Sequence, residues 1–200
     1  MKYHNPRLVP DRWLELRLWK EATQIFMTSG LGGCGPFGLA VAAQRRGYQV
    51  RVALSHHQTP FLTSVRSKEK RQVIRLVDEQ LREEARSLGV AQEHSNSTFE
   101  SIVKAIREDI IPIALISTYR LHWVKAPHWV VVTGFDSRNV YFHDPYEGFC
   151  TGQAQHVRIP IPEFRRMRRY GKAVNNSVIF ISRFQREAIA SRPSDCELVL

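Results

Sequence analysis

The chain has 200 residues, of which 43% are hydrophobic and 10% aromatic, enough to bury a core and too many for a disordered chain or a fibre. Lys and Arg number 29 against 19 Asp and Glu, a formal net charge of +10. The longest apolar run, residues 110–116, is interrupted by Pro112 and falls far short of the about 20 residues a bilayer-spanning helix needs.

Asp11 precedes a stretch of helix formers, residues 12–21. Within it Trp13, Leu14, Leu16, Leu18 and Trp19 mark two apolar faces and predict a well-buried helix. Four glycines in residues 28–36 break regular structure. Pro36 suits the first turn of a new helix reaching Arg46, with Gly47 as its C-terminal cap. Residues 48–54 alternate as a strand does, and residues 61–65 form a connector. A long charged amphipathic helix is expected over 67–88, with Val73, Leu76, Val77 and Leu81 as its core stripe and Gly89 as its end. A polar loop follows, then a helix to about Glu108 capped by Ser97 or Thr98.

The second half changes character. Residues 110–118, 128–135, 139–143 and 178–184 are β-branched or aromatic runs that read as consecutive antiparallel strands. Residues 136–139 supply a tight turn, and residues 161–169 a short helix between the last two strands. Helices followed by an antiparallel sheet predict an α+β domain of two packed lobes over 8–184, with 185–200 a flexible tail.

Between 157 and 192 nine basic residues, Arg168 among them, face only Glu163 and Glu187. No nucleic-acid-binding motif accompanies this patch, so it reads as a solvated basic face and nucleic acid is not an expected partner. Residues 1–7 lack the apolar stretch of a secretory signal. The cysteines Cys34, Cys150 and Cys196 are an odd count with no Cys-x-x-Cys pair. They are expected as free thiols in a reducing, cytoplasmic compartment, with no metal site and no cofactor.

One cysteine has unusual neighbours. Cys34, between Gly33 and Gly35 at the start of a helix, would feel the helix dipole and nearby backbone N–H groups, which favour thiolate. The alternative is a small apolar residue fitting a tight turn. A nucleophilic thiol needs a base, and His128, opening a predicted strand, is the candidate. Asp144 ends the next strand before Pro145, and two strands joined by a short turn bring it beside His128. A carboxylate on one ring nitrogen would leave the other to exchange a proton with a thiol. Among the other histidines, His56 and His57 lie in a polar loop, His122 precedes Trp123 in another, and His143 and His156 show no partner at useful spacing.

Cysteine early at a helix start, histidine late on a strand and then aspartate is the chain order of papain-like peptidases. Residues 128–135 and 140–145 resemble the bacteriocin-processing (double-glycine leader) cysteine peptidase family, and residues 21–47 and 65–70 are similar to a stand-alone bacterial branch of it. The resemblance implies that His128 is the general base and that Asp144 orients it. Family members open with a glutamine and, a few residues on, Cys-Gly-Pro-Ala, the cysteine being the nucleophile and the glutamine an oxyanion donor. No such segment precedes Pro10, and in the family's register residues 32–47 match the second helix. Thr28 stands six residues before Cys34, and Gln24 is further off. The chain is therefore expected to be truncated at its start, to be a degenerate relative, or to use Cys34 as its nucleophile.

The expected function is a cysteine peptidase acting on a peptide or protein substrate, with Cys34, His128 and Asp144 as the site and the Gly33–Gly35 loop N–H groups as oxyanion donors. The alternative is a non-catalytic peptide-binding module on the same fold.

Overall fold

The computed structural model describes residues 1–24, 33–55, 59–62, 65–94, 97–124, 126–146, 154–171 and 176–183. Helix α1 (Arg12–Ala22) starts where Asp11 accepts a hydrogen bond from the Leu14 backbone N–H at 2.7 Å. It is not the buried helix its composition predicts. Only one of its two apolar faces meets the fold, so Trp13 is 74% exposed, Leu16 is exposed, and Ala22 alone is buried. The contact with α2 (Pro36–Gln44) is close: a Cβ on Gly38 would lie 2.4 Å from the Ala22 carbonyl oxygen. Helix α2 is the central helix, with every residue from Pro36 to Ala43 buried except Leu39. Gly47, at φ +77°, takes the left-handed turn that ends this segment.

Strand β1 (Thr23–Gln24) pairs antiparallel with β2 (Gly33–Cys34), and β3 (Tyr48–Leu54) follows α2. Helix α3 (Lys68–Ser87), capped by Ser67, buries Ile74, Asp78, Leu81 and Ala85, while Leu76 is exposed. Of the expected stripe Leu81 is buried and Val77 packs on the core, while the rest of the buried face shifts to Ile74 and a carboxylate, Asp78. The predicted polar loop is instead an edge strand, β4 (Ala91–His94), parallel to β3. An edge strand with little to bury is free to be polar. Helix α4 (Phe99–Arg107) is capped by Thr98.

Strands β5 (Ile111–Ser117), β6 (Pro127–Phe135), β7 (Asn139–His143) and β8 (Val157–Pro160) form an antiparallel series, with α5 (Tyr119–His122) between β5 and β6. Strand β8 is short and was not foreseen. After α6 (Ile161–Met167), β9 (Val178–Arg183) does not continue the series. It inserts between β3 and β5, giving the order β4-β3-β9-β5-β6-β7-β8. The sheet is thus mixed by virtue of its β3–β4 pair.

Alternation along β9 builds two cores on one sheet. Val178 and Phe180 join the α4 and α6 residues Ile102, Phe164 and Met167, whereas Ile179 and Ile181 join Phe37 and Val41 of α2 and Leu81 of α3. The domain is α+β, with α2 and α3 packed on one face. No helix among the described residues is long and apolar enough to cross a membrane. His56, His57, Cys150, Cys196 and residues 184–200 lie outside the described residues.

Candidate active site

The site grows from the start of α2. Gly35 is the N-cap residue and Pro36 the first helical residue, so Cys34 enters the helix from an extended backbone with no chance of Pro36 donating a competing hydrogen bond. Across the antiparallel pair, Cys34 stands opposite Thr23 and Gly33 opposite Gln24. The glycine-rich residues 25–32 lie outside the described residues, yet their two ends are brought together. Residues eleven positions apart therefore come into contact: a Cβ on Gly35 would fall 2.7 Å from Gln24 Cδ. Only glycine admits the Gln24 amide there.

Gln24 is fully buried, and sequence spacing alone did not single it out. Its Nε2 donates to Asp78 Oδ1 at 3.3 Å, and Arg82 Nε donates to Asp78 Oδ2 at 2.7 Å. The Arg82 guanidinium lies 4.4 Å from the centre of the Phe37 ring. Helix α3 thus carries a buried carboxylate that fixes the side-chain amide beside Cys34. The only signal in the sequence was Asp78 itself, an acid within an apolar stripe.

The opposite wall comes from β6 and β7. His128, one residue into β6, places Nε2 at 2.6 Å from Asp144 Oδ1. The Asp144 side chain is 4% exposed and the His128 side chain 20%. Asp144 Oδ1 also accepts from the Tyr146 backbone N–H at 2.9 Å, and its own N–H donates to the Ala154 carbonyl at 2.8 Å. Both bonds lock the carboxylate where the strand ends. With Nε2–H given to Asp144, Nδ1 is the ring nitrogen that can take a proton from a thiol. Trp129, next to His128, donates from Nε1 to the Cys34 carbonyl oxygen at 2.9 Å. This bond ties the start of α2 to the strand carrying the imidazole.

Cys34, Gly33 and His128 line one cleft of about 440 Å³. The thiol is half-buried, and burial pushes it up to about 11. That is opposite in direction to the lowering expected from the helix dipole, because loss of hydration penalises the thiolate directly.

Other expectations meet mixed outcomes. His143 and His156, read as partnerless, meet edge to face with ring centres 4.6 Å apart, and the His156 backbone N–H donates to His143 Nδ1 at 3.2 Å. Burial, and then the His156 charge, lower the His143 pKa. Arg168 is not part of a solvated face. It is buried, and its Nη2 donates to the Ser97 carbonyl and hydroxyl oxygens at 2.7 and 2.8 Å. Arg165 pairs with Glu100, and Arg120 and Arg166 pair with Glu163. No group of three or more His, Cys, Asp or Glu able to hold a metal occurs among the described residues.

An α+β domain that sets a thiol and an imidazole on one cleft, with a buried carboxylate bonded to the imidazole, has the make-up of a cysteine-peptidase-like protein. The chain belongs to the Peptidase_C39-like family, whose sequence profile matches residues 1–182. No curated protein and no solved structure matches the chain.

Proposed function

We propose that the protein is a cysteine peptidase that cleaves a peptide bond by acyl transfer. The observation that carries this reading is the 2.6 Å contact of His128 Nε2 with the buried Asp144 carboxylate, at a cleft that Cys34 also lines. In the reaction, His128 Nδ1 takes the Cys34 proton as sulfur attacks the substrate carbonyl carbon. The oxyanion meets the Gly33–Gly35 loop N–H groups, with the buried Gln24 amide packed against Gly35. His128 then returns the proton to the leaving amine, and the C–N bond breaks. Water, deprotonated by His128, cleaves the thioester and restores the thiol.

The pairing of Gln24 with the Cys34-Gly35-Pro36 start of α2 supports Cys34 as nucleophile. It supplies the glutamine that a reading by spacing alone did not find. Family membership supports the reaction class. The test is hydrolysis of a mixed peptide library by the intact protein, read by mass spectrometry. Wild type is expected to cleave, and both Cys34→Ser and His128→Ala to fall to background. Cleavage that survives in Cys34→Ser would refute the assignment.

A second reading, a peptide-binding module without turnover, is favoured by one observation: burial raises the Cys34 thiol instead of lowering it. Under this reading Cys34→Ser binds peptide as the wild type does, and wild type shows no cleavage.

A further inference from the structure

Cys34 and His128 share the cleft with a wall that is otherwise mostly apolar. Leu39 is the one residue between Pro36 and Ala43 of α2 that is not buried, and it faces the cleft. Ile113 of β5 and Trp129 and Val131 of β6 project to the same place, because alternation sends Val130 and Val132 into the opposite core. All four are half-buried. They present hydrocarbon that a ligand would remove from water.

Phe61 closes this wall in an unusual conformation. Its φ is +68°, a region that a bulky side chain enters at a cost and that the surroundings must enforce. The ring is held edge to face against Tyr170, with centres 6.2 Å apart, in a small cluster with Leu115. The backbone is thus bent so that an aromatic ring borders the cleft containing Cys34 and His128.

We infer that this is a specificity pocket for a large apolar side chain next to the bond attacked, so that the substrate class is peptides with Leu, Ile, Met or Phe there and not the double-glycine leaders of the peptidases the sequence resembles. The inference rests on the proposed peptidase reading for the attacked bond, whereas the affinity of the pocket for an apolar side chain does not depend on it. A volume of about 440 Å³ lies within the roughly 300–1,000 Å³ of ordinary ligand pockets. A diglycine would leave the apolar wall hydrated and gain nothing from it. A single methylene more or less discriminates by about 10- to 200-fold in such a pocket.

The test uses the full chain as Cys34→Ser and two capped hexapeptides identical but for Leu-Gly or Gly-Gly at the centre. Affinity is measured by calorimetry, which needs no turnover. The Leu-Gly peptide is expected to bind at least tenfold more tightly. Leu39→Ser, with its folding checked by urea denaturation, is expected to remove most of that preference, as is Phe61→Ala if it folds. Equal affinities, tighter binding of Gly-Gly, no binding of either at millimolar concentration, or a preference indifferent to Leu39→Ser would each overturn the pocket. If the preference holds while wild type cleaves neither peptide, the pocket stands and the peptidase reading falls. If wild type cleaves both at one rate, the reverse is true.

Discussion

Replacing Asp144 by Ala probes the link between the carboxylate and the thiol most directly. The residue is nearly inaccessible, it receives the His128 Nε2–H at 2.6 Å, and it also caps the Tyr146 N–H. A hydrogen bond to a charged group contributes about 1.5–3 kcal/mol, and at 1.36 kcal/mol per decade its loss from an imidazole acting as base corresponds to about 10- to 100-fold in rate. Alanine also leaves the Tyr146 N–H without its acceptor, so the fold loses about 1–3 kcal/mol. The assay is second-order alkylation of Cys34 by iodoacetamide at pH 7, followed by peptide mass spectrometry so that Cys150 and Cys196 are scored separately. Urea unfolding beside it gives stability. Asp144→Asn, which keeps an oxygen toward His128, is expected to lose less than Asp144→Ala in both readouts. Wild-type alkylation in Asp144→Ala, with the stability loss present, would show that the carboxylate braces the loop and does nothing for the thiol.

Burial holds the Cys34 thiol protonated, raised from 9.0 to about 11. In His128→Ala, alkylation of Cys34 is therefore expected to climb tenfold per pH unit to about pH 11, and a plateau below pH 8 would reject the burial argument. The folded state binds this proton more tightly than the unfolded chain, so the associated stability is present below pH 9 and lost as pH rises toward 11. Melting of Cys34→Ala across that window should lack this component of the slope. Gly35→Ala drives a methyl group to 2.7 Å from Gln24 Cδ. It is expected to cost about 1–3 kcal/mol in urea denaturation and to slow Cys34 alkylation. A variant as stable and reactive as wild type would mean that Gln24 lies elsewhere. Asp78→Ala removes the acceptor for both Gln24 and Arg82 inside the core, with an expected loss of about 3–5 kcal/mol. A change below 1 kcal/mol would show that this buried pair carries no weight.

What could be read in advance follows the range of the interactions. Asp11, Ser67 and Thr98 cap helices through bonds spanning three residues, so α1, α3 and α4 were placed from local sequence. His128 and Asp144 belong to adjacent strands joined by a turn in which Asp136 Oδ1 accepts the Arg138 and Asn139 backbone N–H groups, so their meeting was foreseeable. Gln24 was not, because its place depends on the pairing of β1 with β2 and on a carboxylate 54 residues away in the sequence. The α3 face was placed only in part, with Val77 and Leu81 on the core and Leu76 off it, since hydrophobicity cannot anticipate a buried Asp78 satisfied by Gln24 and Arg82. Arg168 shows the complementary failure. It counts as one more surface cation until the fold surrounds it, where burial lowers its pKa to about 10 and Ser97 accepts from its Nη2.

The central position of β9 has a bearing on how the protein is made. During synthesis, β3–β4 and β5 through β8 emerge as two unfinished halves, each with a bare inner edge. They cannot be zipped together until residues 178–183 clear the ribosome, so cooperative folding waits until translation has passed nearly the whole domain. A nascent chain stalled before that strand would carry helices and hairpins but no joined cleft, a state that chaperones would be expected to recognise.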